Sequence, residues 1–123
     1  MKRDMDLVRK ILMALEDNPT GYFKDEMTID GYTEEDVGYH CYLLLQAGLV
    51  GGYDINTLGC SSPSAVASHL TWMGHEFLDA SRESSRWEKA KGIAGKVGGV
   101  SFDAFMKILT GVATNQINSL LSS

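Results

Sequence analysis

The segment from Thr33 to Ala80 constrains the fold more than any other part of the chain. It reads TEEDVGYHCYLLLQAGLV, then a glycine-rich stretch, then HLTWMGHEFLDA. Thr33 can cap a helix whose first turn holds Glu34, Glu35 and Asp36, where the helix dipole favours anions. Gly48 is the natural left-handed terminator of that helix. Leu49-Val50 then begins a strand, and Gly51-Gly52 permits a bend or bulge, with Tyr53 to Leu58 extending it. Ala65 to Leu70 forms the return strand, and Thr71 caps a further helix to about Ser81 with Phe77 and Leu78 inward. A helix, a hairpin and a second helix are thereby fixed in order.

The flanks are helical too. Met5, Val8, Ile11, Leu12 and Leu15 recur at helical spacing, which predicts a helix over 3–17 with Asp4 or Asp6 in its first turn. Asn18-Pro19 stops it, because proline disfavours helical geometry at the preceding residue. The connector that follows holds one possible short strand at Met27-Thr28-Ile29. After Ser84-Ser85, residues 86–96 read as a helix with Trp87, Ala90, Ile93, Ala94 and then Val97 on one side. Gly98-Gly99 breaks it, and Ser101 caps a last helix striped with Phe102, Phe105, Ile108, Leu109, Val112, Ile117, Leu120 and Leu121. So apolar a helix either closes the core or pairs with a second copy. The fold class expected is mainly α with a small β-hairpin, as a first domain over 1–83 and a C-terminal helical extension over 84–123.

The order of elements resembles a winged helix-turn-helix with two extra C-terminal helices. In that fold a helix ends in "L…GL" before the wing, and the return strand enters a helix through "LT…G". The matching positions are Leu45, Gly48, Leu49, Leu70, Thr71 and Gly74. To about Trp87, the chain also resembles a phage- and bacterium-associated family of unknown function, close to the YjcQ-like winged-helix proteins. The signals are MKRDMDLVRKIL, the "YH…LL.QAGL" of Tyr39 to Leu49, and "LTW.GHEFLDA.R…W" from Leu70 to Trp87. The resemblance implies the fold, a frequent phage or prophage origin, and a regulatory role by analogy alone.

Charge argues against the first function such a fold suggests. Between Lys24 and Arg82 there is no lysine or arginine, while nine acids stand in the same stretch. DNA affinity rests on cationic contacts to phosphate. The net charge of -5 also disfavours nonspecific binding to nucleic acid or anionic lipid. The remaining bases cluster at Lys2, Arg3, Arg9 and Lys10, and again at Arg82, Arg86, Lys89, Lys91 and Lys96. A solvated helix face explains such clusters, and the second is where nucleic acid would be contacted if any is. On the second helix, Tyr39, Tyr42, Leu43 and Gln46 recur at i, i+3, i+4 and i+7. Only Gln46 suits a base edge, whereas rigid aromatics suit a protein partner. This stripe is covered by the C-terminal helices, forms a homodimer seam, or receives a foreign partner.

No chemistry-bearing constellation emerges. His40 and Cys41 are adjacent on a helix and diverge by about 100°. Cys60, His69 and His75 match no zinc spacing. His40 fits a half-buried histidine with a hydrogen-bond partner, and His75 could pair with Asp79 four residues on. "KGIAGKVGG" fails as a phosphate loop, since Gly92 and Gly95 stand too close and Val97 follows Lys96. Neither enzymatic activity, nor a cofactor, nor a metal is expected. Two cysteines imply no disulfide framework, and no apolar run suggests a signal peptide or membrane span, so a reducing cytoplasm is the default compartment. The reading is a non-enzymatic winged-helix module acting through protein contacts, one form of which imitates a nucleic-acid backbone with its acidic surface. Its alternative is a dimeric DNA-binding regulator.

Overall fold

The computed structural model describes residues 1–23, 27–55 and 61–122. Among the described residues, five helices and one two-stranded antiparallel sheet occur in the order α1 (Met5–Asp17), α2 (Glu34–Ala47), β1 (Val50–Asp54), β2 (Ala65–Leu70), α3 (Trp72–Ser81), α4 (Ser84–Lys96) and α5 (Phe102–Ser122). The chain divides into two compact units, Met1–Leu78 and Asp79–Ser123.

In the first unit, α1 begins where Asp4 Oδ1 accepts the N–H groups of Asp6 (2.9 Å) and Leu7 (3.3 Å). Leu7, Val8, Ile11, Leu12 and Leu15 are buried. Leu7 replaces Met5 in the expected stripe, and Met5 is only half-buried. The connector contains no helix or strand among its described residues. Met27 is buried, but Met27-Thr28-Ile29 is not a strand. The Ile29 carbonyl instead accepts the Tyr32 N–H at 3.2 Å, closing a turn where a ladder would have formed.

Helix α2 runs from the Thr33 cap to Gly48, whose φ of 78° supplies the left-handed terminator. The Gly48 and Leu49 N–H groups donate to Leu45 O (3.2 Å) and Leu44 O (3.0 Å), the paired bonds of a Schellman motif. Leu49 is buried, the apolar contact that accompanies the motif. The chain then enters the hairpin, in which Val50 pairs with Leu70 and Gly51 with His69 before the register shifts to Gly52 with Ala67. Ser68 is the extra residue of that bulge, and its carbonyl accepts the Phe23 N–H at 2.6 Å, tying the connector to the sheet. Of the proposed extension of β1, Tyr53 and Asp54 are strand, whereas residues 56–58 lie outside the described residues, as does Cys60.

One small cluster of bonds closes the frame. Thr71 Oγ1 donates to the Gly48 carbonyl at 2.5 Å and accepts the Gly74 N–H at 3.1 Å, while the Thr71 N–H donates to Leu49 O at 3.1 Å. The end of α2 and the start of α3 are thus joined through one hydroxyl used as both donor and acceptor. Gly74 makes this approach possible, since a Cβ there would run into the Leu49 carbonyl oxygen. The "GL" and "LT…G" signatures are the two halves of this junction.

In the second unit α4 and α5 form a helix pair. Glu83 caps α4, its carboxylate accepting the Ser85 (3.0 Å) and Arg86 (2.8 Å) N–H groups, so the helix begins two residues before the expected start. Trp87 and Ala90 are buried, and the Trp87 ring meets Phe105 edge-on at 5.3 Å. Ile93 and Val97, expected on the same side, are exposed. Ile93 lies roughly a quarter-turn from Trp87 and Ala90 at about 100° per residue, and Val97 has left helical geometry as the C-cap. On α5 only Phe105, Leu109 and Val112 are buried; Ile117, Leu120 and Leu121 are exposed. Eight apolar residues spread over too wide an arc for one contact to cover.

Candidate functional site

The outward stripe of α2 forms a continuous surface ladder. The Tyr39 and Tyr42 rings stack with centroids 6.5 Å apart and planes 25° from parallel. Gln46 Nε2 donates to the Tyr42 hydroxyl at 3.1 Å, extending the row by one turn. Tyr39 also meets the His40 ring edge-on at 5.9 Å. Tyr39, Tyr42 and Leu43 are half-buried and Gln46 is exposed, while Val37, His40, Cys41 and Leu44 turn inward. Helical spacing places the four residues in one row, and the two tyrosine rings stack along it.

His40 is structural in this arrangement. Its Nε2 accepts the Asp4 N–H at 2.8 Å, so the proton resides on Nδ1, which donates to the Asp36 carbonyl at 2.8 Å. Asp4 is a hub, since Tyr32 donates its hydroxyl to Asp4 Oδ2 at 3.2 Å. The buried imidazole thereby pins the start of α1 to the first turn of α2. Both ring nitrogens are committed to backbone groups, and neither serves Cys41 as a base.

Cys41 stands in a cleft of about 200 Å³ whose other walls include Val37, Gly38, Ala65 and Ala67, with Glu34 and Ser64 among its polar lining. Burial pushes its thiol up to about 11 from 9.0, against a smaller opposing effect of a hydrogen bond with the Ala67 backbone. At neutral pH the group is a protonated thiol, which is a poor nucleophile. Sequence reasoning missed this cleft, although a lone glycine within α2 was a signal. A Cβ at Gly38 would meet the Ser64 side chain.

The remaining histidines are dispersed. His69 receives the Tyr22 ring edge-on at 5.3 Å, and its Nδ1 lies 2.8 Å from Ser68 Oγ. The expected pair of His75 with Asp79 is replaced, because Asp79 accepts from Arg82 at 2.9 Å. Among the described residues no group of three or more His, Cys, Asp or Glu could hold a metal ion. No helix is long and apolar enough to cross a membrane, among the described residues.

The second basic cluster is partly neutralised. Arg82 pairs with Asp79, and Lys91 with Glu88 at 3.3 Å while also lying 6.0 Å from the Trp87 ring centroid. Arg86 is half-buried with its Nε shielded from solvent, and Lys89 and Lys96 are exposed. Glu88 and Lys91 form an i,i+3 pair along α4, as on a solvated helix face, whereas Arg82 lies in the link between α3 and α4.

Comparison with known proteins gives a family and no activity. A family model described as "Hypothetical protein (DUF2513)" matches residues 2–101. An "Uncharacterized protein" of Haemophilus influenzae is 38% identical over 112 residues, covering 88% of this chain and 92% of that one. No solved structure matches. The match spans α1 through α4 and ends at the residue before α5, so the junction at Thr71 and the α2 ladder both lie within it. The chain belongs to the DUF2513 family.

Proposed function

We propose that this protein is a non-enzymatic binding module, phage- or prophage-related, that uses a winged-helix scaffold to contact another protein through Tyr39, Tyr42, Leu43 and Gln46. The observation that carries this reading is the ladder on α2, two stacked tyrosines continued by Gln46. Its setting supports it, because no lysine or arginine occurs from Asp25 to Ser81. The sequence order helix, hairpin, helix supports the scaffold, with α2 in the recognition position and β1–β2 as the wing. A long connector between α1 and α2 takes the place of a short turn.

Affinity capture from the native host with the full chain, followed by mass spectrometry, tests the face. Tyr39→Ala with Tyr42→Ala should lose a partner that the unaltered protein retains, at unchanged circular dichroism and melting. Retention of the same partner contradicts the assignment, and so does unfolding, which would make the tyrosines core residues. A dimeric DNA-binding regulator is the second reading, favoured by the exposed Lys89 and Lys96 on α4. It requires binding that weakens steeply with salt.

A further inference from the structure

Helix α2 and strand β2 lie side by side without filling the space between them. The small residues Gly38, Ala65 and Ala67 meet there, where a packed core would carry larger side chains, and a cleft of about 200 Å³ remains. Unfilled space of this kind costs stability that larger side chains would recover. Met27, Val37 and Cys41 wall the cleft, and each is buried. An apolar cavity of about 150 Å³ holds one benzene ring, so this one has room for a ring and a short arm.

The two ends of the cleft differ. A Cβ at Gly38 would meet Ser64, and the Ala67 N–H donates to the Cys41 thiol. The helix therefore tracks the strand, with Cys41 beside Ala67 at the deep end and Glu34 one turn beyond Gly38 at the mouth. Cys41 is 3% exposed, whereas Glu34 faces solvent. Strand β2 adds a backbone acceptor. The Ile55 N–H donates to Ser64 O, and in an antiparallel pair the next residue turns its own groups away from the partner strand. The Ala65 carbonyl thus points to the side where α2 lies, the same side on which the Ala67 N–H reaches Cys41.

Charge and hydrogen bonding select the occupant. Glu34 and the Ala65 carbonyl are acceptors. Among the described residues no lysine or arginine lines the cleft, and none occurs in the sequence from Asp25 to Ser81. An anionic group would find no counter-charge there. An ammonium would find a carboxylate and a carbonyl for its N–H donors, with apolar walls beyond for the rest of the molecule.

We propose that the cleft between α2 and β2 binds a small apolar amine, its body between Val37, Cys41 and Ala67 and its ammonium at Glu34 and the Ala65 carbonyl. The site lies across α2 from the tyrosine row, so it is occupied independently of whatever that row contacts.

Benzylamine, benzyl alcohol and benzoate share a ring and differ in the head, and proton–nitrogen correlation spectra of the full chain titrated with each provide the test. Benzylamine should move the Cys41, Ala65 and Ala67 amides with a dissociation constant on the order of 1 mM, as suits so small a ligand. Benzyl alcohol should bind about three- to fivefold more weakly, and benzoate not at all up to about 20 mM. Glu34→Gln should weaken benzylamine by about that same factor and leave benzyl alcohol unchanged. Ala67→Val, which fills the deep end, should abolish both while the spectrum stays folded. In a Cys60→Ser background, benzylamine should also slow modification of Cys41 by a thiosulfonate reagent with the same concentration dependence, a readout that needs no core substitution. Absence of saturable shifts at about 20 mM overturns the proposal. So does binding of benzoate or benzyl alcohol as tight as that of benzylamine, and so does an amine preference that survives Glu34→Gln.

Discussion

Replacing a helical glycine by alanine normally stabilises a protein, and at Gly74 the sign should reverse. In a helix interior the exchange is worth about 0.8–1 kcal/mol in favour of alanine. Gly92 on α4 has nothing within 4 Å of where its Cβ would stand, so Gly92→Ala should realise that gain. At Gly74 the added Cβ would meet the Leu49 carbonyl oxygen, a backbone atom that also accepts the Thr71 N–H. Relief requires drawing α3 away from the end of α2, which breaks the bonds Thr71 makes to Leu49 and Gly48. Two bonds at about 1 kcal/mol each, plus about 1–2 kcal/mol of overpacking, outweigh the propensity gain. The net effect of Gly74→Ala is a loss of about 2–3 kcal/mol, a separation of roughly 3–4 kcal/mol from Gly92→Ala. Urea unfolding followed by circular dichroism measures both, with each variant compared at unchanged m-value. Equal stabilisation at the two sites would refute the account of the α2–hairpin–α3 junction.

Other expectations follow from the same geometry. Thr71→Val removes the hydroxyl that caps α3 and bonds Gly48, and should cost about 1.5–3 kcal/mol, while Thr71→Ser should cost less than half as much in the same urea titration. His40→Ala strands the Asp4 N–H and removes the side-chain bond to the Asp36 carbonyl, and a loss of about 2–4 kcal/mol is expected in thermal or urea melts. In a Cys60→Ser background, alkylation of Cys41 at pH 8 should run about 100-fold slower than in the urea-unfolded chain, from the shift of its thiol from 9.0 to about 11. Hydrogen bonds from the Ser85 hydroxyl and then from the Ser85 and Arg86 N–H groups hold the Glu83 carboxyl at about 2 against an ordinary 4.5. A depressed carboxyl stabilises fully above the unfolded value, so the N-terminus of α4 should loosen as pH falls from about 4.5 toward 2. The protection factors of the Ser85 and Arg86 amides, taken against their intrinsic exchange rates, should follow that window, and Glu83→Gln should abolish the pH dependence of that protection.

The limits of sequence reading lie in particular residues. Thr33, Gly48, Gly51-Gly52 and Thr71 marked element boundaries because each meets a local backbone demand for a cap, a left-handed turn or a bulge. Period placed α1 and α5, with Asn18-Pro19 and Ser101 as boundary signals. It did not distinguish which apolar residues of α5 are buried, because a single stripe can contain two faces. The α2 ladder was legible as a row, but stacking of Tyr39 on Tyr42 depends on rotamers that no spacing specifies. His40 was recognisable as a bonded histidine, whereas its partner at Asp4 lies 36 positions away and required the fold. The Cys41 cleft is likewise built from α2 and β2 together, elements that the sequence lists apart. Asp79 chose Arg82 over His75, a competition among exposed neighbours that is worth too little to be read from spacing.

The most direct test of a protein-contact role over a DNA-reading one is fluorescence anisotropy with a labelled pool of genomic duplex fragments. The account predicts no binding at about 50 mM salt, where cationic contacts to phosphate would be strongest. Binding at that salt that falls by about 10³ or more at about 200 mM, and is lost on Lys89→Glu with Lys96→Glu, would contradict it.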